Sequence, residues 1–132
     1  MKYKVNQKDV LPDNQLRGED GWNRMSVQWL CTKDNMGSVH ALMGRTVFPP
    51  NGASHELHVH QNAEELLYVT TGRGRAKVAD EEFDITAGDM VFIPVGAEHF
   101  FRNTDPNEEM ETIWVYGGVG TLKDSGYRPI NK

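Results

Sequence analysis

The sequence has 132 residues, with 14 lysines and arginines against 19 acids for a formal charge of −5, and a single cysteine. That length suits one domain over 1–132. The mild negative charge leaves no basic footprint for a phosphate backbone, so no nucleic-acid partner is expected. No run approaches the ~18 consecutive apolar residues of a membrane span, and residues 1–7 lack the apolar segment of a secretion signal, so no membrane contact and a cytoplasmic location are expected. Cys31 cannot close an internal disulfide and, between Leu30 and Thr32, reads as a buried structural thiol.

In chain order, residues 1–21 are polar and glycine-bearing, with room for a turn of helix over 9–17 that Pro12 interrupts. Strand-like runs follow at 25–32, 39–48, 56–61, 66–71, 75–79, 83–86, 90–94, 99–103 and 110–116. Between them stand turn signals such as Pro49-Pro50-Asn51-Gly52, Thr71-Gly72-Arg73-Gly74 and Ala87-Gly88-Asp89. So many short strands predict an all-β sandwich or closed barrel. Residues 117–132 are glycine-rich at Gly117-Gly118-Val119-Gly120, which suits either a surface loop or a hinged C-terminal lid over a cavity.

Three of the five histidines fall into a spaced pattern. His58 and His60 are two apart and share one face of a strand; a hairpin over 61–64 can return Glu65 beside them, and the strand that opens at His99 can add a fourth ligand. Three imidazoles and one carboxylate suit a first-row divalent metal, and six-coordination would leave two positions open. Glu64 competes with Glu65 for the carboxylate role. His40 has no spaced partner and reads as a surface or hydrogen-bonded residue. His55, three residues before His58, is a candidate substrate contact or support to a ligand.

Gly52-x5-His58-x-His60-x4-Glu65-x6-Gly72 and Gly88-x5-Pro94-x-Gly96-x2-His99-x3-Asn103 together resemble the two cupin motifs at every defined position. The resemblance spans 52–103 and implies a double-stranded β-helix, a jelly-roll barrel. Within it, His58, His60, Glu65 and His99 would hold one divalent transition metal per subunit, chosen among Fe, Mn, Ni, Zn, Cu and Co. Residues 1–48 and 117–132 extend that core. Gly72 and Gly96 suit turns with positive φ.

If Glu65 faces the interior, Leu67 and Val69 follow it inward, leaving Glu64, Leu66 and Tyr68 on the other face, and Phe101 follows His99. The cavity would then be largely apolar. Trp114 and Tyr116 share a face, lining either the pocket or a subunit interface. Arg45 is a candidate partner for a substrate carboxylate, and His55, Tyr68, Glu64 and Glu98 are candidate proton carriers. Cupins with this ligand set include oxygenases, decarboxylases, lyases and isomerases. The aromatic supply favours dioxygenase chemistry on a small enolic or phenolic substrate, with a redox-neutral enzyme or a non-catalytic binding protein as alternatives. The resemblance also implies a homodimer, for which Met25, Val27 and Trp29 are the expected contact residues.

Overall fold

Alternating burial along several of the strands sorts the chain into two antiparallel sheets whose inner faces meet. The computed structural model describes residues 2–130. Its strands are β1 (Trp22–Asn23), β2 (Ser26–Cys31), β3 (Ala41–Phe48), β4 (Ser54–His60), β5 (Glu64–Thr71) and β6 (Arg73–Val78), then β7 (Glu81–Thr86), β8 (Met90–Ile93), β9 (His99–Asn103), β10 (Met110–Gly117) and β11 (Tyr127–Pro129). One sheet runs β2-β3-β10-β5-β8; the other runs β1-β4-β9-β6-β7, with β11 added to β4. This is the all-β jelly roll that the motifs imply.

The strand pattern has a direct cause in β3, where Leu42, Gly44, Thr46 and Phe48 are buried and the residues between them are half-buried. In β10 the buried set is Met110, Thr112, Trp114 and Tyr116. The two strands pair with Trp114 opposite Gly44. A Cβ at Gly44 would fall inside van der Waals contact with the Trp114 indole, so only glycine lets that ring lie flat against the neighbouring strand. Phe48, Phe101, Leu42, Ile93 and Met110 fill the rest of the space between the sheets.

Motif residues outside the histidine cluster act on the backbone. Gly72 and Gly96 have φ of 87° and 77°, as the turns require. Asn103 is fully buried. Its Nδ2 donates to the carbonyls of Phe48, Pro49 and Glu108 at 2.9, 3.2 and 2.9 Å, and its Oδ1 accepts from the Asp105 amide at 2.8 Å. One amide thus pins two loops that would otherwise carry unpaired carbonyls.

Several elements differ from expectation. The N-terminal helical turn is not at 9–17; short 3-10 turns lie at Gln7–Asp9 and Gly18–Asp20. An α-helical turn, α1 (Lys33–Met36), follows β2 where periodicity gave no helix: Thr32 caps it by accepting from the Asn35 amide, and Gly37 ends it in the left-handed region. Cys31 is half-buried. The C-terminal segment ends as a strand, with Tyr127 opposite His60 and Pro129 opposite His58. That pairing makes Tyr127–Pro129 an edge strand on β4. Among the described residues, no helix is long and apolar enough to cross a membrane.

Candidate metal centre

His58 and His60 project inward from β4, as their two-residue spacing predicts, and both are 1% exposed. His99 opens β9 directly opposite His58. Glu65 lies on the inner face of β5 and is buried, whereas Glu64 is exposed. The register therefore brings Glu65, not Glu64, to the histidines. One ligand nitrogen from each of His58, His60 and His99 lies within 4.8 Å of the others, and Glu65 Oε1 is 3.1 Å from His60 Nε2 and 3.4 Å from His99 Nε2.

Hydrogen bonds settle which nitrogens face inward. The Nδ1 atoms of His58, His60 and His99 lie 2.7, 2.8 and 2.8 Å from the carbonyls of Glu56, Ala63 and Ala97. A carbonyl can only accept, so each Nδ1 carries a proton and each neutral ring turns the lone pair of Nε2 to the cluster. The Nε2 atoms of His58 and His99 are buried without a hydrogen-bond partner. His60 Nε2 and Glu65 Oε1 are both acceptors in this arrangement, and two acceptors 3.1 Å apart require a proton or a metal ion between them. The donor set fits a divalent transition metal.

Burial and charge act together on these groups. Desolvation, reinforced by His55 and His99, pushes the His58 pKa well below the usual imidazole value, which keeps the ring neutral. Burial pushes Glu65 upward, but the closeness of the His60 and His99 imidazoles outweighs it and holds the carboxylate below its ordinary range. Tyr116, whose ring centroid is 4.4 Å from that of His60, is raised well above the ordinary phenol by burial and by Glu65. Its hydroxyl keeps its proton beside the cluster.

His55 joins the same face through a bulge. His55 pairs with Phe101 and His58 with His99, so three steps along β4 match two along β9. The extra residue rotates His55 inward, and its ring stacks on His58 at 3.6 Å and on Trp22 at 4.1 Å. A plain i, i+3 spacing would have put it on the outside. Burial, followed by repulsion from His99, lowers its pKa to about 3.

The cavity beside the cluster is lined by His55, Glu65, Leu67, Phe101, Thr112, Trp114 and Tyr116, among others. Trp114 and Tyr116 thus line the pocket, and neither is free for an interface. About 10 Å³ is open to the centre of a water molecule, room for roughly one water. Thr112 Oγ1 is buried and unpartnered. Sequence reasoning missed Trp22 and Tyr127 as wall or support residues, because neither stands at a motif spacing.

Arg45 and Tyr68 are corrections. Arg45 alternates out of β3 and binds Gln28 Oε1 at 2.8 Å and Glu111 Oε2 at 2.6 Å, which turns it away from the cluster. Tyr68 is 43% exposed on the outer face of β5. Glu98 and His40 are exposed as well. Of the residues expected at a dimer contact, Val27 is fully buried, Met25 lines the cavity, and Trp29 packs edge-on against Trp114 at 5.4 Å.

The family described as the cupin domain matches residues 44–116. SchB of Streptomyces halstedii is 30% identical over 119 residues, covering 90% of this chain and 80% of its own length. The oxalate-binding protein of Thermotoga maritima is 28% identical over 111 residues, covering 84% of this chain and 90% of its own. A crystal structure described as a predicted oxalate decarboxylase from Thermotoga maritima aligns with a TM-score of 0.74 at 26% identity, over 89% of this chain and 100% of the other.

Proposed function

The chain belongs to the cupin family, and from that premise we propose a metal-dependent enzyme acting on a small substrate that chelates through oxygen. The observation that carries this reading is the set of buried, carbonyl-oriented histidines whose Nε2 lone pairs converge beside Glu65. His58, His60, His99 and Glu65 hold one divalent transition ion per subunit. When bound, that ion supplies Lewis acidity to a carboxylate, enolate or hydroxyl oxygen.

The chain's own residues do the remaining work. Leu67, Phe101 and Trp114 keep water from the reacting group, and the protonated phenol of Tyr116 donates to a developing oxyanion. With room for about one water, the cavity admits a small acid or enol only as its wall gives, and half-buried Met25 is the adaptable part of that wall. Relatives described by oxalate binding and oxalate decarboxylation support a carboxylate-bearing substrate and a redox-neutral step. Dioxygenase chemistry is the second reading, supported by a donor set that accepts iron.

Elemental analysis of the purified protein, then aerobic and anaerobic turnover of small carboxylic acids and enols, tests these readings. Manganese, nickel or zinc with turnover and no oxygen uptake is the expected result. Iron with substrate-dependent oxygen uptake would establish the dioxygenase instead. Stoichiometric metal without turnover would leave a binding protein. The partner we propose is a second copy of the chain, joined through the outer face of β5 and β8.

A further inference from the structure

The cavity wall holds a fourth imidazole whose hydrogen bonding is the reverse of the other three. His55 Nε2 lies 3.0 Å from the Tyr127 hydroxyl, and that hydroxyl donates to the Asp20 carbonyl at 2.8 Å. A phenol has one proton, and here it goes to Asp20. The phenol oxygen must therefore accept from His55, so His55 Nε2 carries the proton and Nδ1 keeps the lone pair. Nδ1 has no hydrogen-bond partner among the described residues, and the ring it belongs to lines the cavity with Glu65.

The ring is also held in place. It is sandwiched between Trp22 and His58, and Tyr127 stacks on Trp22 at 5.0 Å. Turning the imidazole over would exchange Nε2 for a carbon and break the bond to Tyr127. The N-terminal strand β1 and the C-terminal strand β11 both pair with β4, so the two extensions of the motif core jointly set this one side chain.

We infer that Tyr127 is a positioning residue that locks His55 with Nδ1 as a fixed hydrogen-bond acceptor, so that the cavity selects ligands with a hydroxyl donor beside their metal-binding oxygen. A 2-hydroxy acid or an enol meets that requirement. A fully ionised dicarboxylate offers only acceptors and sets lone pair against lone pair. The ligand preference rests on the metal reading above; the tautomer does not.

Two measurements on the full chain test the inference. In ¹⁵N-labelled protein, long-range nitrogen–proton correlation of the imidazoles reports each tautomer: His55 is expected as Nε2–H in the metal-free and zinc-loaded protein, and as a mixture in Tyr127→Phe, which keeps the aromatic stack. A protonated Nδ1, or an unchanged pattern in Tyr127→Phe, overturns the lock. In cobalt-loaded protein followed by visible absorption, Tyr127→Phe is expected to leave glycolate within about twofold, because the acceptor tautomer stays populated, and to tighten oxalate about tenfold, the gain of one net hydrogen bond from Nδ1–H. An oxalate affinity that does not change, or that changes by the same factor as glycolate, overturns the selectivity. Failure of cobalt to bind overturns the metal reading and the ligand preference together, while the nitrogen shifts still decide the tautomer.

Discussion

At the scale of single residues, three backbone carbonyls determine what the cluster can bind. By holding Nδ1–H of His58, His60 and His99 they aim three lone pairs at one point. His58→Ala and His60→Ala are therefore each expected to purify without stoichiometric metal while keeping a β-sheet circular dichroism spectrum and a cooperative melt. Full metal content in both variants would remove the assignment. The clustering of the four motif residues was legible in the sequence because an i, i+2 pair, a short hairpin and a fixed downstream spacing are enough to converge them. His55 was legible only as a candidate, since its inward turn depends on a bulge against β9 that no local pattern announces. Tyr127 gave no signal, because its place beside His55 comes from the long-range pairing of β11 with β4.

At the scale of elements, the central strands were readable from alternation, and their ends were not. β4 begins at Ser54 and β5 at Glu64, each earlier than apolar content alone suggested, because cross-strand pairing recruits polar residues at the margins. The β3–β10 pair shows how tightly the sheet is tuned: the Trp114 indole lies over Gly44, and its Nε1 donates to Thr46 Oγ1 at 2.9 Å. Gly44→Ala forces that ring or the strand to shift. A loss of about 1–3 kcal/mol is expected in urea unfolding, in the range of overpacked cores. An unchanged midpoint and slope would show that the indole has slack that the packing does not suggest.

At the scale of the whole molecule, folding sets buried neutral histidines against an unfolded chain that protonates them. His55 and His58 both have depressed pKa values in the folded state, from burial first. Their contribution to stability is complete above the unfolded pKa near 6.5 and is lost as pH falls toward the folded value, about 3 for His55. Metal-free protein is expected to lose about 2 kcal/mol between pH 7 and pH 5.5, measured by urea unfolding. A flat profile would mean that these rings take up protons in the fold as readily as in the unfolded chain. The outer surface presents a second whole-molecule demand. Leu66, Tyr68, Met90 and Phe92 are 48%, 43%, 57% and 48% exposed, and they stand in register as Leu66 opposite Phe92 and Tyr68 opposite Met90. Ile113 and Val115 extend that apolar face across β10. Such a patch is costly in a monomer, and a second copy of the same face is a partner of matching chemistry. Sedimentation is expected to give a dimer, and Tyr68→Lys with Phe92→Lys a monomer that retains its metal, because both side chains point away from the cavity. A monomeric parent, or a double variant that still sediments as a dimer, would refute this interface. β5 carries the two demands on opposite faces, with Glu65 and Leu67 inward and Leu66 and Tyr68 outward, so a partner seated on the outer face would also stiffen the strand that delivers the carboxylate.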